Sequence, residues 1–276
     1  MDELYVIARR VLLDALDALG VHRSAIVLVG AQAIYLRVGE ADLAVAPFTT
    51  DGDLAIDPSL LAELPPLEQM LTGAGFWPKA RDSVGIWVTH RETSANPRTP
   101  VQIDLLVPAA VSPGTGRRAA RLVGHDTRSA RIVRGLDGVV VDANLMRIAA
   151  LDDSDLRGHD IRVAGPAALL VAKVHKIDER QSTSRQSDKD ALDVLRLLRG
   201  TSTEDLAARY RGLLSDRRSA ETAARALALL GEQFGRRAGV GVGMAVRSAG
   251  PLADADELAA SCELLSNDLL AALGRG

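Results

Sequence analysis

Apolar residues recur every three or four positions near the start of the chain, at Leu4, Ile7, Ala8, Val11, Leu12, Ala15 and Leu19. That spacing predicts an amphipathic helix over Asp2 to Gly20, with Gly20 as its stop. The next segment, Ser24 to Tyr35, reads as a buried strand, a tight turn at Gly30 and then a helix. Pro58-Ser59-Leu60 predicts a second helix, with Asp57 as N-cap and an end near Gly73 and Gly75. Strand patterns follow over Val84 to Thr89 and Val101 to Val107, with shorter pieces near Ala130 to Val133 and Val139 to Val141. Ser112 to Gly116 reads as a turn or short linker. Beyond Gly165-Pro166 the pattern is helical throughout, with helices expected near 166–180, 188–199, 203–215, 218–236 and 253–273. The glycine-rich Gly239 to Gly243 reads as a connection between helices. The expected fold class is therefore α+β, a mixed-sheet domain over 1–160 followed by a C-terminal helical bundle over 161–276.

Two carboxylates stand out against this pattern. Asp51 and Asp53 lie one residue apart at the mouth of an apolar run, so on a strand both project to one face. Asp104 sits alone inside a second apolar run, Val101 to Val107. An acid in a strand core is costly unless something pairs with it. A neighbouring strand could bring Asp104 beside the acidic pair, and three converging carboxylates call for a cation. Hard oxygen ligands suit magnesium, so Asp51, Asp53 and Asp104 are the expected metal ligands. Gly30 lets the backbone approach a ligand closely, and the start of the following helix offers free N–H groups to phosphate. Gly30, Ala31 and Thr50 are the expected phosphate contacts in the sheet domain.

A second constellation lies in the helical half. Lys173, Lys176 and Arg180 fall near one helix stripe, and Asp190 and Asp193 stand three apart on the next helix. The short loop between them, Gln181 to Ser187, makes the two helices antiparallel neighbours, so lysine and carboxylate can meet.

Strand, Gly-small turn, helix, Asp-x-Asp and a later third Asp together resemble the nucleotidyltransferase superfamily with a DNA polymerase beta-like catalytic fold. Gly30-Ala31 departs from the Gly-Gly or Gly-Ser of that pattern, removing a serine hydroxyl but keeping a small side chain. Lys173, Arg180, Lys189-Asp190 and Asp193 resemble, in order and spacing, the AbiEii-like branch that includes the MenT toxins. The resemblance spans residues 26 to 195. It implies a magnesium-dependent enzyme that moves a nucleotide from an NTP to an acceptor hydroxyl, with RNA (the tRNA 3′ end) as acceptor and an antitoxin protein as partner. It also implies roles. Asp51, Asp53 and Asp104 hold the metals, Lys173 neutralises the triphosphate, and Asp190 positions Lys173 or the nucleoside. Transfer to a small-molecule hydroxyl and a non-catalytic nucleotide-binding regulatory module are the alternatives.

Composition narrows the field further. The 276-residue chain is 47% hydrophobic and only 3% aromatic, so Leu, Val, Ile and Ala must build the core. The net charge is −3, yet Arg117, Arg118, Arg121, Arg128, Arg131 and Arg134 face a single acid, Asp126, within one stretch. That cluster favours a polyanion acceptor over a cationic small molecule. The one cysteine, Cys262, excludes an internal disulfide and fits a reducing compartment. The acidic start, Met1 to Leu4, is unlike a signal peptide, and no apolar run approaches the roughly 20 residues of a bilayer span. A cytoplasmic protein with no membrane partner is expected. The histidines lack zinc spacing, and no P-loop sequence is present. Asp51-Gly52-Asp53 fails as an EF-hand, because Ala55 stands at the third ligand position.

Overall fold

The computed structural model describes residues 2–39, 43, 48–112, 118–181 and 187–274. The chain divides into two compact units that alternate along the sequence. One comprises Met1–Ala33, Phe48–Val133 and Ala143–Ala164; the other comprises Ile34–Pro47, Arg134–Asp142 and Gly165–Gly276.

The first unit is built on a mixed sheet. Helix α1 (Glu3–Ala18) starts where the Asp2 carboxylate accepts the backbone N–H groups of Leu4 and Tyr5 at 2.8 and 3.2 Å. It buries the apolar face expected of it, Ile7, Ala8, Val11, Leu12, Ala15 and Leu16 included. After a 3₁₀ turn over Gly20–Ala25 come β1 (Ile26–Val29), α2 (Gly30–Val38), β2 (Asp51–Ile56) and α3 (Leu67–Gly73). Then follow β3 (Trp77–Pro78), β4 (Ile86–Arg91), β5 (Thr99–Pro108), β6 (Arg131–Val133), β7 (Ala143–Ala149) and β8 (Gly158–Ala164). The strand order is β3-β4-β5-β2-β1-β8-β7, with β6 beside β5. Strand β2 runs parallel to β5 and antiparallel to β1, which is buried along its whole length.

Helix α1 packs on one face of this sheet, and Gly52 marks the contact. A Cβ there would lie 2.8 Å from Cδ1 of Ile103 and 3.2 Å from Cδ1 of Leu12. Alternation along β2 therefore sends Gly52 under α1 and its two acidic neighbours to the opposite face. Strand β4 repeats this parity: Trp87 and Thr89 are buried, while Ile86 and Val88 are half-buried.

Gly85 organises the far side of β5. Its φ is +65°, and a Cβ would lie 2.5 Å from the Leu105 carbonyl oxygen and 2.6 Å from the Arg131 backbone nitrogen. Its own N–H donates to the Arg128 carbonyl at 2.8 Å, and its carbonyl accepts the Leu105 N–H at 2.8 Å. Three backbones meet there, so β5 exchanges β4 for β6 as its neighbour part-way along its length.

The second unit is helical. It contains α4 (Pro166–Arg180), α5 (Asp188–Gly200), α6 (Thr203–Ser215), α7 (Ala220–Phe234), α8 (Val240–Ala249) and α9 (Ala255–Ala272). Pro166 opens α4 at the first helical position, where its missing N–H costs nothing. Cys262 is fully buried in α9, and burial pushes its thiol up to about 11. Among the described residues, no helix is long and apolar enough to cross a membrane.

The fold class and most elements match expectation, with five corrections. Residues 139–141 are not a strand; Asp137–Val140 form a 3₁₀ turn. The helix expected from Pro58 is confined to Leu67–Gly73, because Asp57 closes a local turn instead, accepting the Ser59 N–H at 3.1 Å and its hydroxyl at 2.6 Å. The β7–β8 hairpin and the short β3 were not anticipated. Nor was α8, read as a connection: Gly241 is there because a Cβ would lie 2.5 Å from the Phe234 ring. Arg117, residues 113–116 and most of the loop before Asp188 lie outside the described residues.

Candidate functional site

The acidic residues of the first unit are brought together by strand register. In the parallel β2–β5 pair, Asp53 stands opposite Asp104 and Asp51 opposite Gln102. Register partners share a face, so Asp51, Asp53, Gln102 and Asp104 all project from the side away from α1. Asp51 and Asp53 are half-buried, and Asp104 is buried.

Each acid has an identifiable local environment. Asp51 accepts the Thr49 hydroxyl at 2.5 Å. Its backbone carbonyl accepts the Gln32 side-chain amide at 2.9 Å, and Gln32 in turn accepts Arg9 Nε at 2.7 Å. This buried pair fixes the start of β2 from α1 and α2. Asp53 has Val29 as its register partner on β1 and lies against the next residue, Gly30. Gly30 has φ +70°, and a Cβ there would collide with Oδ2 of Asp53. The absent side chain is thus what admits the carboxylate beside the first turn of α2. Ala31 is buried in that turn, and Thr50 is exposed at the bend before β2.

Gly30→Ala is expected to displace Asp53 and to destabilise the protein by at least about 1–2 kcal/mol, the cost of a left-handed residue with a Cβ. Urea unfolding checks this; a variant as stable as the wild type contradicts the role given to Gly30.

Asp104 is the most heavily engaged of the three. Its Oδ1 accepts Gln102 Nε2 at 2.7 Å and its Oδ2 accepts Arg131 Nη2 at 2.5 Å. The Arg131 Nη1 is buried and without a hydrogen-bond partner. Gln102 continues the chain outward, accepting Lys79 Nζ at 3.0 Å. Among the described residues, no three carboxylate, histidine or cysteine side chains converge, as they stand, closely enough to hold a metal ion.

Sequence reasoning missed Gln102, Lys79 and the Arg9–Gln32 pair, it weighed Thr49 beside Thr50 as a phosphate contact or a structural threonine, and it named Arg131 only within a basic cluster. Gln102 was the findable one, since it precedes Asp104 by two and shares its strand face.

The second unit holds the other predicted group. Lys173 and the two carboxylates of α5 do meet. Lys173 Nζ donates to Asp190 Oδ1 and to Asp193 Oδ2, both at 2.7 Å, and its side chain is only 7% exposed. Lys176 Nζ donates to the same Asp190 oxygen at 2.8 Å, and Arg180 approaches the other oxygen at 3.8 Å. Asp193 also faces Arg196 Nη1 at 3.3 Å, whose buried guanidinium lies 5.1 Å from the centre of the Tyr35 ring. Burial alone would raise Asp190, but attraction and hydrogen bonds from Lys173 and Lys176 outweigh it and hold Asp190 below the ordinary carboxylate range. Burial alone would lower Lys173, and Asp190 and Asp193 reverse this, raising it. Both groups are therefore charged across the neutral range.

No protein-family model matches the chain, and no curated protein matches it in sequence. Among solved structures, it is similar to the crystal structure of an antigenic nucleotidyltransferase-like protein from Paracoccidioides brasiliensis. The identity is 14%, over 82% of this chain and 93% of that chain, with a TM-score of 0.39.

Proposed function

We propose that this chain is a magnesium-dependent nucleotidyltransferase that moves a nucleotide from an NTP to a hydroxyl of RNA. The observation that carries this reading is the register of β2 on β5, which sets Asp53 opposite Asp104 with Asp51 on the same face. In kind, these side chains fit a hard divalent cation, since all three offer carboxylate oxygens. Asp51 and Asp53 would hold it, with Asp104 as third ligand. Arg131 must release an Asp104 oxygen before that carboxylate can serve. Bound magnesium would supply charge neutralisation at the attacking and leaving oxygens of an in-line displacement.

The chain's own residues account for the remaining requirements. The N–H groups at Gly30 and Ala31 face the triphosphate. Asp104 takes the proton of the acceptor hydroxyl as its oxygen bonds the α-phosphorus and pyrophosphate leaves with the electrons of the broken P–O bond. Arg131, once released, has guanidinium donors for developing phosphate charge. In the helical unit, Lys173 fixes Asp190, and Lys176 and Arg180 are gathered on that carboxylate. The order Lys173, Arg180, Lys189-Asp190, Asp193 supports a narrower reading, in which the acceptor is the tRNA 3′ end and the protein is a toxin held by an antitoxin protein.

Incubation with magnesium, each labelled NTP in turn and total RNA tests the proposal. Label is expected at RNA 3′ ends for at least one NTP, with release of pyrophosphate. Absence of incorporation from every NTP overturns it.

A further inference from the structure

The sheet face that carries the acids does not end at them. Following one row of register partners outward, Asp51 stands opposite Gln102, Gln102 opposite Val88, and Val88 opposite Trp77. Partners in a ladder share a face, so Trp77 looks out from the same side as Asp51, three strands away. At the usual strand spacing that is about 14 Å. Trp77 is 60% exposed.

The other tryptophan shows that this exposure belongs to the face and not to tryptophan in this sheet. Trp87 is on the adjacent strand with the opposite parity. It is 3% exposed, and its indole N–H donates to the Ser129 carbonyl at 3.0 Å. One indole is core and the other is presented.

A cation accompanies the presented ring. Lys79 follows Trp77 by two and reaches Gln102 at 3.0 Å, which puts its charge between the ring's strand and the acids. A flat aromatic surface beside a cation is how proteins hold single-stranded nucleic acid without reading its sequence: bases stack and the backbone is neutralised.

We propose that Trp77 is a stacking platform for the acceptor strand, taking a base upstream of the reacting 3′ end while Lys79 meets its phosphates. The inference rests on the nucleotidyltransferase reading for its direction, since that reading puts the 3′ hydroxyl at the acids. It adds the binding element and a length: the acceptor needs a single-stranded tail long enough to span the face. At the 3.4 Å rise of a stacked strand, about 14 Å is about four nucleotides. A free nucleoside or a small hydroxylic acceptor cannot occupy both ends.

The test is direct binding of a 5′-labelled single-stranded oligoribonucleotide of about ten residues, followed by anisotropy and by tryptophan emission. In the wild type, bound RNA quenches the Trp77 emission and leaves that of buried Trp87. Trp77→Ala weakens binding about 10- to 100-fold, in line with one base–aromatic stack, and Trp77→Phe restores most of it. Because Trp77 is an exposed edge residue, both variants keep the wild-type unfolding midpoint. Binding of Trp77→Ala within twofold of wild type overturns the platform. So does equal quenching by a free NTP, which would make the ring a nucleotide contact. A change in self-association of Trp77→Ala with RNA affinity intact also overturns it, marking a protein contact. Failure of the wider reading looks different: RNA binds and quenches through Trp77, yet no NTP is ever incorporated.

Discussion

Asp51→Asn and Asp53→Asn are each expected to lower NTP incorporation by at least about 100-fold, the scale of losing one preorganised electrostatic group. Each change keeps the shape of the side chain and removes its charge. Both positions lie on the open face of β2, away from the α1 packing that Gly52 mediates. In Asp51→Asn the new amide still offers a carbonyl oxygen to the Thr49 hydroxyl, so local geometry survives. In Asp53→Asn the favourable pairing of a carboxylate with the first turn of α2 is lost, worth about 0.3–1 kcal/mol. The unfolding midpoint should therefore barely move while activity disappears. Incorporation near the wild-type rate in either variant rules out the metal assignment.

The largest stability effect is expected in the helical unit. Lys173→Ala should destabilise it by about 3 kcal/mol, the low end for breaking a buried pair, because it removes the one ammonium group that two buried carboxylates share and leaves Asp190 to Lys176 and Arg180 and Asp193 to Arg196. Lys176→Ala is the control: its side chain is 38% exposed and its pair with Asp190 is screened, so about 1 kcal/mol or less is expected. Denaturant unfolding of both variants separates them, and equal midpoints would contradict the picture of Lys173 as the keystone. The pH dependence follows from the direction of each shift. Lys173 is raised in the fold, so its contribution is complete below the ordinary lysine value and fades as pH climbs through the raised one. Asp190 is lowered, so its contribution is complete above the ordinary carboxylate value and fades as pH falls through the lowered one. The gap between wild type and Lys173→Ala should stay flat from about pH 5 to pH 10.

What could be read from the sequence was whatever depends on local periodicity. Asp51 and Asp53 share a face because they are two apart, and the helices of the second unit follow from their apolar stripes. What could not be read depends on which distant segments become neighbours. Arg131 reaches Asp104 only because β6 takes over from β4 beside β5, and that exchange turns on Gly85, whose neighbours give no local sign of it. Strand β7 was invisible for another reason. It is an edge strand with Leu145 and Arg147 both exposed, so it lacks the alternation that marks a half-buried strand. Helix α8 was hidden by its glycines, which look like a linker until the Phe234 ring is seen occupying the space beside Gly241.

The burial of Cys262 makes it a clock. It is the single thiol in 276 residues, it is fully enclosed in α9, and burial holds it in the protonated, unreactive form. A thiol reagent can modify the native protein only when the helices around that sulfur part. The rate of labelling therefore counts openings of the helical unit alone, with no signal from the sheet, and it can be followed as nucleotide or RNA is added without engineering a probe.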